Sequence, residues 1–256
     1  MKADRARRRS FLRASFAALA APMLTACQRL TESTWFPQIL ATGETLSRNV
    51  SQLLGRKAMA QEFAPSDISP TFRSNGTSFP ESDSYRQLVE AKFGTYSLVV
   101  NGLVEHKRSF SLAELRALPS RTQITRHDCV EGWSAIAKWK GVRLSAILEQ
   151  VKPTAVARYV VFHCADPMEA DGSSPYYESI DFDDALHEQT ILAYELNDAA
   201  LPVENGAPLR LRVERQLGYK HAKYVMRIEV VESFAGIAGG KGGYWEDNGY
   251  QWFAGI

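Results

Sequence analysis

The chain has 256 residues, 45% of them hydrophobic and 23% charged, enough for one large core or two smaller ones and ordinary for a globular protein. Lys plus Arg number 30 against 29 for Asp plus Glu. That balance leaves no basic field to hold nucleic acid.

The chain opens on a targeting pattern. Arg7, Arg8 and Arg9 precede Ser10, Phe11, Leu12 and Arg13, and the run AALAAPMLTA follows. The run is too short to span a bilayer. Residues 1–26 therefore read as a twin-arginine signal peptide, the address of a bacterial export route for folded proteins. The expected location is the periplasm. LTAC, ending at Cys27, has the form of a lipobox. Acylation there would anchor the mature chain at a membrane surface without spanning it. An ordinary cleavage region is the competing reading.

Residues 27–67 read as a helical segment and linker, since Leu46, Val50, Leu53 and Leu54 recur at helical spacing. The main domain is expected over 68–234, and a Gly- and aromatic-rich tail over 235–256. Within the domain, YSLVV (96–100) is a strand, and Asn101-Gly102 is a hairpin-type turn signal before LVEH. Ser111 and Glu114 form a capping box for the helix LAELRAL, which Pro119 stops. QITRHD is a strand running into Cys129, and LSAILEQV is a helix. RYVVFHC (158–164), PLRLRVER and KYVMRIEVVE are strands. Elements that mix without regular alternation predict an α+β fold with mixed sheets and helices.

The chemistry gathers around two His-Cys pairs. Strand alternation puts His127 and Cys129 on one face and Asp128 on the other. His163 and Cys164 are adjacent, so they point oppositely. From the residues alone several fates stay open for Cys129: a zinc site with His127, His163 and Cys164, a disulfide with Cys164, or a buried inert thiol. The spacings match no usual structural zinc pattern.

Three segments, RHDCVEGWSAIAKWKGVRLSAIL, ILAYELNDAALPVENGAPLRL and LGYKHAKYVMRIEVVESF, resemble the molybdopterin-dependent sulfite oxidase superfamily. Within it, exported bacterial MsrP-like catalytic subunits are the closest resemblance, over roughly residues 71–234. The resemblance implies that Cys129 is a thiolate ligand of molybdenum beside the sulfurs of one pyranopterin, with one molybdenum–molybdopterin per chain. It implies that Asn75, Cys164, Asn205, Arg210, His221, Ala222 and Lys223 contact the cofactor. Tyr176, in PYYESI, would be the catalytic hydroxyl, and Trp139 would line the substrate pocket. Cys164 departs from the Thr that MsrP-like proteins carry there. Taken only as residue types, Asn75-Gly76 and Asn205-Gly206 are equally turns, Arg210 a solvated strand charge, and the aromatics core.

The implied reaction is oxygen-atom transfer on a small sulfur oxyanion or an S- or N-oxide. Animal-type sulfite oxidases place Arg shortly after the metal cysteine, whereas Glu131, Gly132 and Ser134 stand here. That departure favours a neutral S- or N-oxide, unless Arg73, Arg126 or Lys140 folds into the pocket. The alternatives are sulfite dehydrogenase-type oxidation, or a metal-free or zinc-bound non-catalytic binding module. The chain carries no Cys-x-x-Cys-His attachment motif for haem. Electrons are therefore expected to pass to or from an external cytochrome or membrane haem subunit. A monomer is expected.

Overall fold

The structure, a computed structural model, describes residues 33–55, 57–169 and 174–256. The twin-arginine run and Cys27 lie outside the described residues. The chain divides into two compact units, Met1–Leu54 and Gly55–Ile256. The first is described by α1 (Phe36–Gly55), on which Leu46 and Val50 are exposed. No described helix is long and apolar enough to cross a membrane.

In the second unit, α2 (Asp83–Glu90) starts at Ser82, whose hydroxyl accepts from the Tyr85 N–H. β1 (Ser97–Gly102) buries Leu98 and Val100, and β2 (Arg108–Ser111) returns beside it antiparallel. The turn lies later than the sequence suggests. Asn101 and Gly102 are still paired, with Glu229 and Val230. A Cβ on Gly102 would stand 2.2 Å from the Val230 carbonyl oxygen, so close backbone approach, not a hairpin, demands this glycine. α3 (Leu112–Ala117) carries the expected box, with the Glu114 N–H donating to Ser111 Oγ and the Ser111 N–H to Glu114 Oε2.

β3 (Ser120–Cys129) turns Gln123, Thr125, His127 and Cys129 inward. It pairs along its whole length with β4 (Trp133–Arg143), from Ser120 opposite Val142 to Cys129 opposite Trp133. The hairpin needs only Val130, Glu131 and Gly132 to turn, and Gly132 has φ 83°. Cys129 thus stands at the tip of a long, rigid ribbon. α4 (Leu144–Val151) covers the expected LSAILEQV. β5 (Tyr159–Pro167), β6 (Pro175–Asp181), the short α5 (Phe182–Ala185), β7 (Ile191–Leu196), β8 (Ala199–Ala200), β9 (Arg210–Arg212), β10 (Val225–Val231) and α6 (Tyr244–Asp247) follow.

Two sheets result, the first mixed and the second wholly antiparallel. One runs β2-β1-β10-β5-β6, with β1 and β10 parallel; the other runs β3-β4-β7-β8, with β9 also on β7. The α+β expectation holds. The main apolar core joins Leu98, Val160, Phe162, Ile180, Leu211 and Ile228, and a smaller cluster surrounds Trp139. Residues 235–256 are tied onto this unit: the Leu217 N–H donates to Ala254, the Ile256 N–H to Arg215, and the Trp252 ring stacks on Phe234.

Candidate functional site

Several chain segments meet at one end of the sheets and enclose a cavity of about 170 Å³. The tip of the β3–β4 hairpin brings Cys129 and Glu131. The end of β5 brings Asp166 and then Met168, and β6 opens with Tyr176. The loop at Asn75, the turn at Gly218 and the stretch His221 to Lys223 close the polar side. Trp245 and Tyr250 of the carboxyl-terminal stretch close the apolar side.

Of the residues singled out in the sequence, Cys129, Tyr176, Asn75, His221 and Lys223 therefore line one cavity. Asn205 and Arg210 sit just behind it. Arg210 is completely buried and is no solvated strand charge. Its Nη1 donates to the Asn205 carbonyl at 3.1 Å and its Nη2 to Asn75 Oδ1 at 3.2 Å. Its guanidinium lies over the Trp139 and Phe72 rings. Burial, and then the Arg212 charge, lowers Arg210 to about 9. Ala222 contributes backbone, its carbonyl accepting from the Leu211 N–H at 2.8 Å. Trp139 does not line the cavity: it is a buried plate under Arg210 and under Arg212, whose guanidinium is 4.4 Å from the ring centroid.

The remaining fates of the cysteines resolve. Cys129 and Cys164 are both free, so they form no disulfide. Cys164 lies in the main core opposite Val225, and burial, followed by the Asp166 charge, pushes its thiol well up. His163 turns to the other face and meets Glu229 at 3.0 Å. Among the described residues no three His, Cys, Asp or Glu side chains are grouped to hold a metal ion, so the four-ligand zinc reading has no geometry.

Tyr176 is buried, and burial is the chief cause that keeps its phenol protonated. The hydroxyl donates to the Tyr219 carbonyl, with Glu178 Oε2 at 3.5 Å. Donation to anything in the cavity would require trading one of these bonds.

The sequence reading missed a second layer that fixes the histidines. Arg212 forks onto Glu214 at 2.9 and 2.6 Å, all buried, and its Nη1 donates to His127 Nδ1 at 3.0 Å. An arginine can only donate, so His127 carries its hydrogen on Nε2. That nitrogen faces Gly218, where a Cβ would come within 2.6 Å of it. His221 bonds the Gln216 carbonyl through Nε2 at 3.0 Å, which leaves Nδ1 an acceptor. Burial first, and then Arg212, drives both imidazoles well below the ordinary histidine range, so both are neutral. Asp166 was also missed, although strand alternation puts it on the face of Cys164.

This basin fits a polar, anionic heterocycle that carries a soft metal. Asn205 Nδ2, Arg210 Nε, His127 Nε2 and His221 Nδ1 are buried without hydrogen-bond partners, when buried polar groups are normally paired. Guanidinium and lysine charge suits phosphate, and a thiol suits a thiophilic metal.

The pattern of the family described as "Oxidoreductase molybdopterin binding domain" matches residues 86–235. A relative from Azospira oryzae, with the provisional name protein-methionine-sulfoxide reductase subunit YedZ1, is 38% identical over 248 residues, 97% of this chain and 87% of that protein. The protein-methionine-sulfoxide reductase catalytic subunit MsrP of Xanthomonas campestris pv. campestris is 38% identical over 160 residues, 59% of this chain and 50% of its own. The chain thus spans about half the length of that relative. The sulfane dehydrogenase SoxCD from Paracoccus pantotrophus shares the fold, at a TM-score of 0.50 and 23% identity, over 55% of this chain and 39% of that one.

Proposed function

The chain belongs to the oxidoreductase molybdopterin binding domain family, and from that premise we propose that it reduces a neutral S-oxide, of the methionine sulfoxide type, with electrons from an external haem protein. One molybdenum–molybdopterin per chain would bind with Cys129 as its protein thiolate. Asn75, Asn205, Arg210, His221 and Lys223 would hold its polar edge and phosphate. When bound, that group supplies the two-electron change that oxygen-atom transfer needs.

The observation that carries the substrate assignment is the charge of the wall. Its Asp, Glu, Lys and Arg side chains are Glu131, Asp166 and Lys223. Of the three cations that could have made an anion site, two are paired away and Arg73 is exposed, its charge still felt at Cys129. Arg126 pairs with Asp128 at 2.9 Å, Lys140 with Glu195 at 3.4 Å, and exposed Arg73 lies over Trp133. Stripping water from a sulfite dianion beside Glu131 would cost several kcal/mol, and Arg210 and Lys223, the buried cations at hand, are those that would hold the cofactor. A sulfoxide needs one or two hydrogen bonds, and Met168, Trp245 and Tyr250 give its alkyl arms a soft apolar wall.

With a reduced viologen for sulfoxides and an oxidant dye for sulfite, sulfoxide reduction is expected to exceed sulfite oxidation. Efficient sulfite turnover with a low KM that climbs with ionic strength would overturn the assignment. The chain is also proposed to work in the periplasm, since the Arg8-Arg9 pair has the twin-arginine form. Arg8→Lys combined with Arg9→Lys is expected to trap it in the cytoplasm on cell fractionation. Unchanged export would refute that route.

A further inference from the structure

We propose that Asp166 is a catalytic acid of this cavity, donating a proton to the oxygen being removed. The proposal rests on the S-oxide reading above. Asp166 lies at the end of β5 on the wall shared by Cys129 and Tyr176, and it is only 4% exposed. Its own backbone N–H bonds the carboxyl group, while Oδ1 has no hydrogen-bond partner. An aspartate kept in the interior for structure alone is normally satisfied on both oxygens or paired with a cation. Asp166 is neither.

The groups that face it come from every neighbouring element. Tyr85 of α2, Cys164 of β5, Tyr176 of β6, and Tyr224 and Lys223 ahead of β10 all interact with it electrostatically. Lys223 is the cation that acts on it, but its Nζ donates to the Thr77 and Glu204 carbonyls. Burial therefore dominates over the opposing backbone N–H and Lys223, and the carboxyl is pushed up to about 7. Below that pH Asp166 carries a proton with no protein acceptor on Oδ1.

The other candidate donors on the wall already have protein partners. Tyr176 gives its proton to the Tyr219 carbonyl. Lys223 gives two of its three hydrogens to carbonyls, and burial, its largest influence, lowers it to about 7, so the Asp166→Asn comparison below separates the two. Glu131 is exposed and accepts from Trp133 Nε1 at 2.9 Å. Asp166 has a proton and an open direction.

The step balances. A sulfoxide, two electrons and two protons give a sulfide and one water: the sulfur–oxygen bond breaks and sulfur is reduced. The electrons come from the external one-electron donor of the haem class, one proton comes from Asp166, and the second comes from solvent. Solvent then reprotonates the carboxylate.

The test uses the molybdenum-loaded protein with a reduced viologen and a sulfoxide. Wild-type kcat/KM is expected to be level below about pH 7 and to fall about tenfold per unit above it, as the acid form disappears. Asp166→Asn, nearly isosteric, is expected to lose about 10²-fold at pH 6 together with that break. Asp166→Glu should keep a break and part of the rate. Infrared difference spectra give a readout independent of turnover: a protonated carboxyl band should vanish as pH rises through about 7 in the wild type and be missing from Asp166→Asn. Wild-type rate and pH dependence in Asp166→Asn, with equal molybdenum content, would overturn the proposal. So would an infrared band that does not depend on Asp166. If the wild type reduces no sulfoxide at any pH, the S-oxide reading falls and the catalytic role falls with it. The infrared titration would then still report whether the carboxyl holds its proton.

Discussion

Cys129→Ser is expected to yield a folded protein that binds little molybdenum, lacks the thiolate-to-molybdenum absorption band and shows only background turnover. The change is small in volume, and Cys129 sits at the edge of the cavity at 9% exposure. The hairpin itself is held by backbone, since the Gly132 N–H donates to the Cys129 carbonyl at 3.0 Å. Thermal unfolding should therefore stay close to wild type. What disappears is the sulfur. Burial already raises the Cys129 thiol, an effect that the Glu131 N–H opposes, and a metal must displace that proton to bind. A serine hydroxyl is harder and far more reluctant to lose its proton, so the loss in metal affinity should exceed the about 10–100-fold typical of outer contacts. Cys164→Ser is the internal control, because that thiol lies behind the wall in the apolar core. It should leave the absorption band in place. A Cys129→Ser protein with wild-type molybdenum content, spectrum and turnover would remove the ligand assignment.

The parts of the fold legible in the sequence are those set by local chemistry. The Ser111–Glu114 box, the helix LSAILEQV and the alternation of QITRHDC each depend on neighbours within a few residues, and each appears where the pattern puts it. β4 was missed because its inward positions include Ala135 and Ala137 while Ile136 lies on the other face, which blurs the alternation. β7 was missed because five of its six residues are buried, so it shows no alternation. Asn101-Gly102 misled for a related reason. The same glycine freedom that makes a hairpin also admits the close approach of Val230.

At the site, the segments that resemble the family pointed to the cavity, and the environment of each residue stayed hidden. Arg210 and Arg212 alternate with Leu211 and read as a wet face. Trp139 below them and Glu214 beside Arg212 make that face dry. His127 looked like half of a metal pair; its tautomer follows from Arg212, 85 positions away in sequence. Asp166 gave no local signal beyond the alternation that puts it on the face of Cys164. Its importance comes from what fails to meet Oδ1, and that is a tertiary fact.

Lys220→Met should be the most destabilising single change in this unit, at about 3–5 kcal/mol near neutral pH. Lys220 is completely buried, with Nζ donating to Glu178 on β6 and, at 2.6 Å, to Glu246 Oε1 on α6. Burial alone would lower its pKa, but the two carboxylates outweigh that and hold it above the ordinary lysine value. Methionine keeps much of the volume and removes the charge, leaving two glutamates facing each other in the interior. Burial already raises Glu178 above the usual 4.5, against the pull of Lys220. Without the ammonium it must take a proton or stay buried as an unpaired charge. At pH 7, protonating a carboxyl that would ionise at 4.5 in the unfolded chain costs about 3 kcal/mol. The sign of the pH dependence follows. The folded variant binds a proton that the unfolded chain releases, so its deficit is smallest below about 4.5 and grows as pH rises toward neutrality. Adding Glu246→Gln should recover part of the loss, since it removes one of the opposed charges. Chemical unfolding at several pH values reads all three quantities, and a Lys220→Met deficit that is absent at pH 7, or that grows on acidification, would contradict the account. The clamp also bears on the cavity: Lys220 lies between Tyr219 and His221, and Glu178 is 3.5 Å from the Tyr176 hydroxyl. Because α6 also carries Trp245, loosening Glu246 should enlarge the apolar wall and raise KM for a sulfoxide before the protein unfolds.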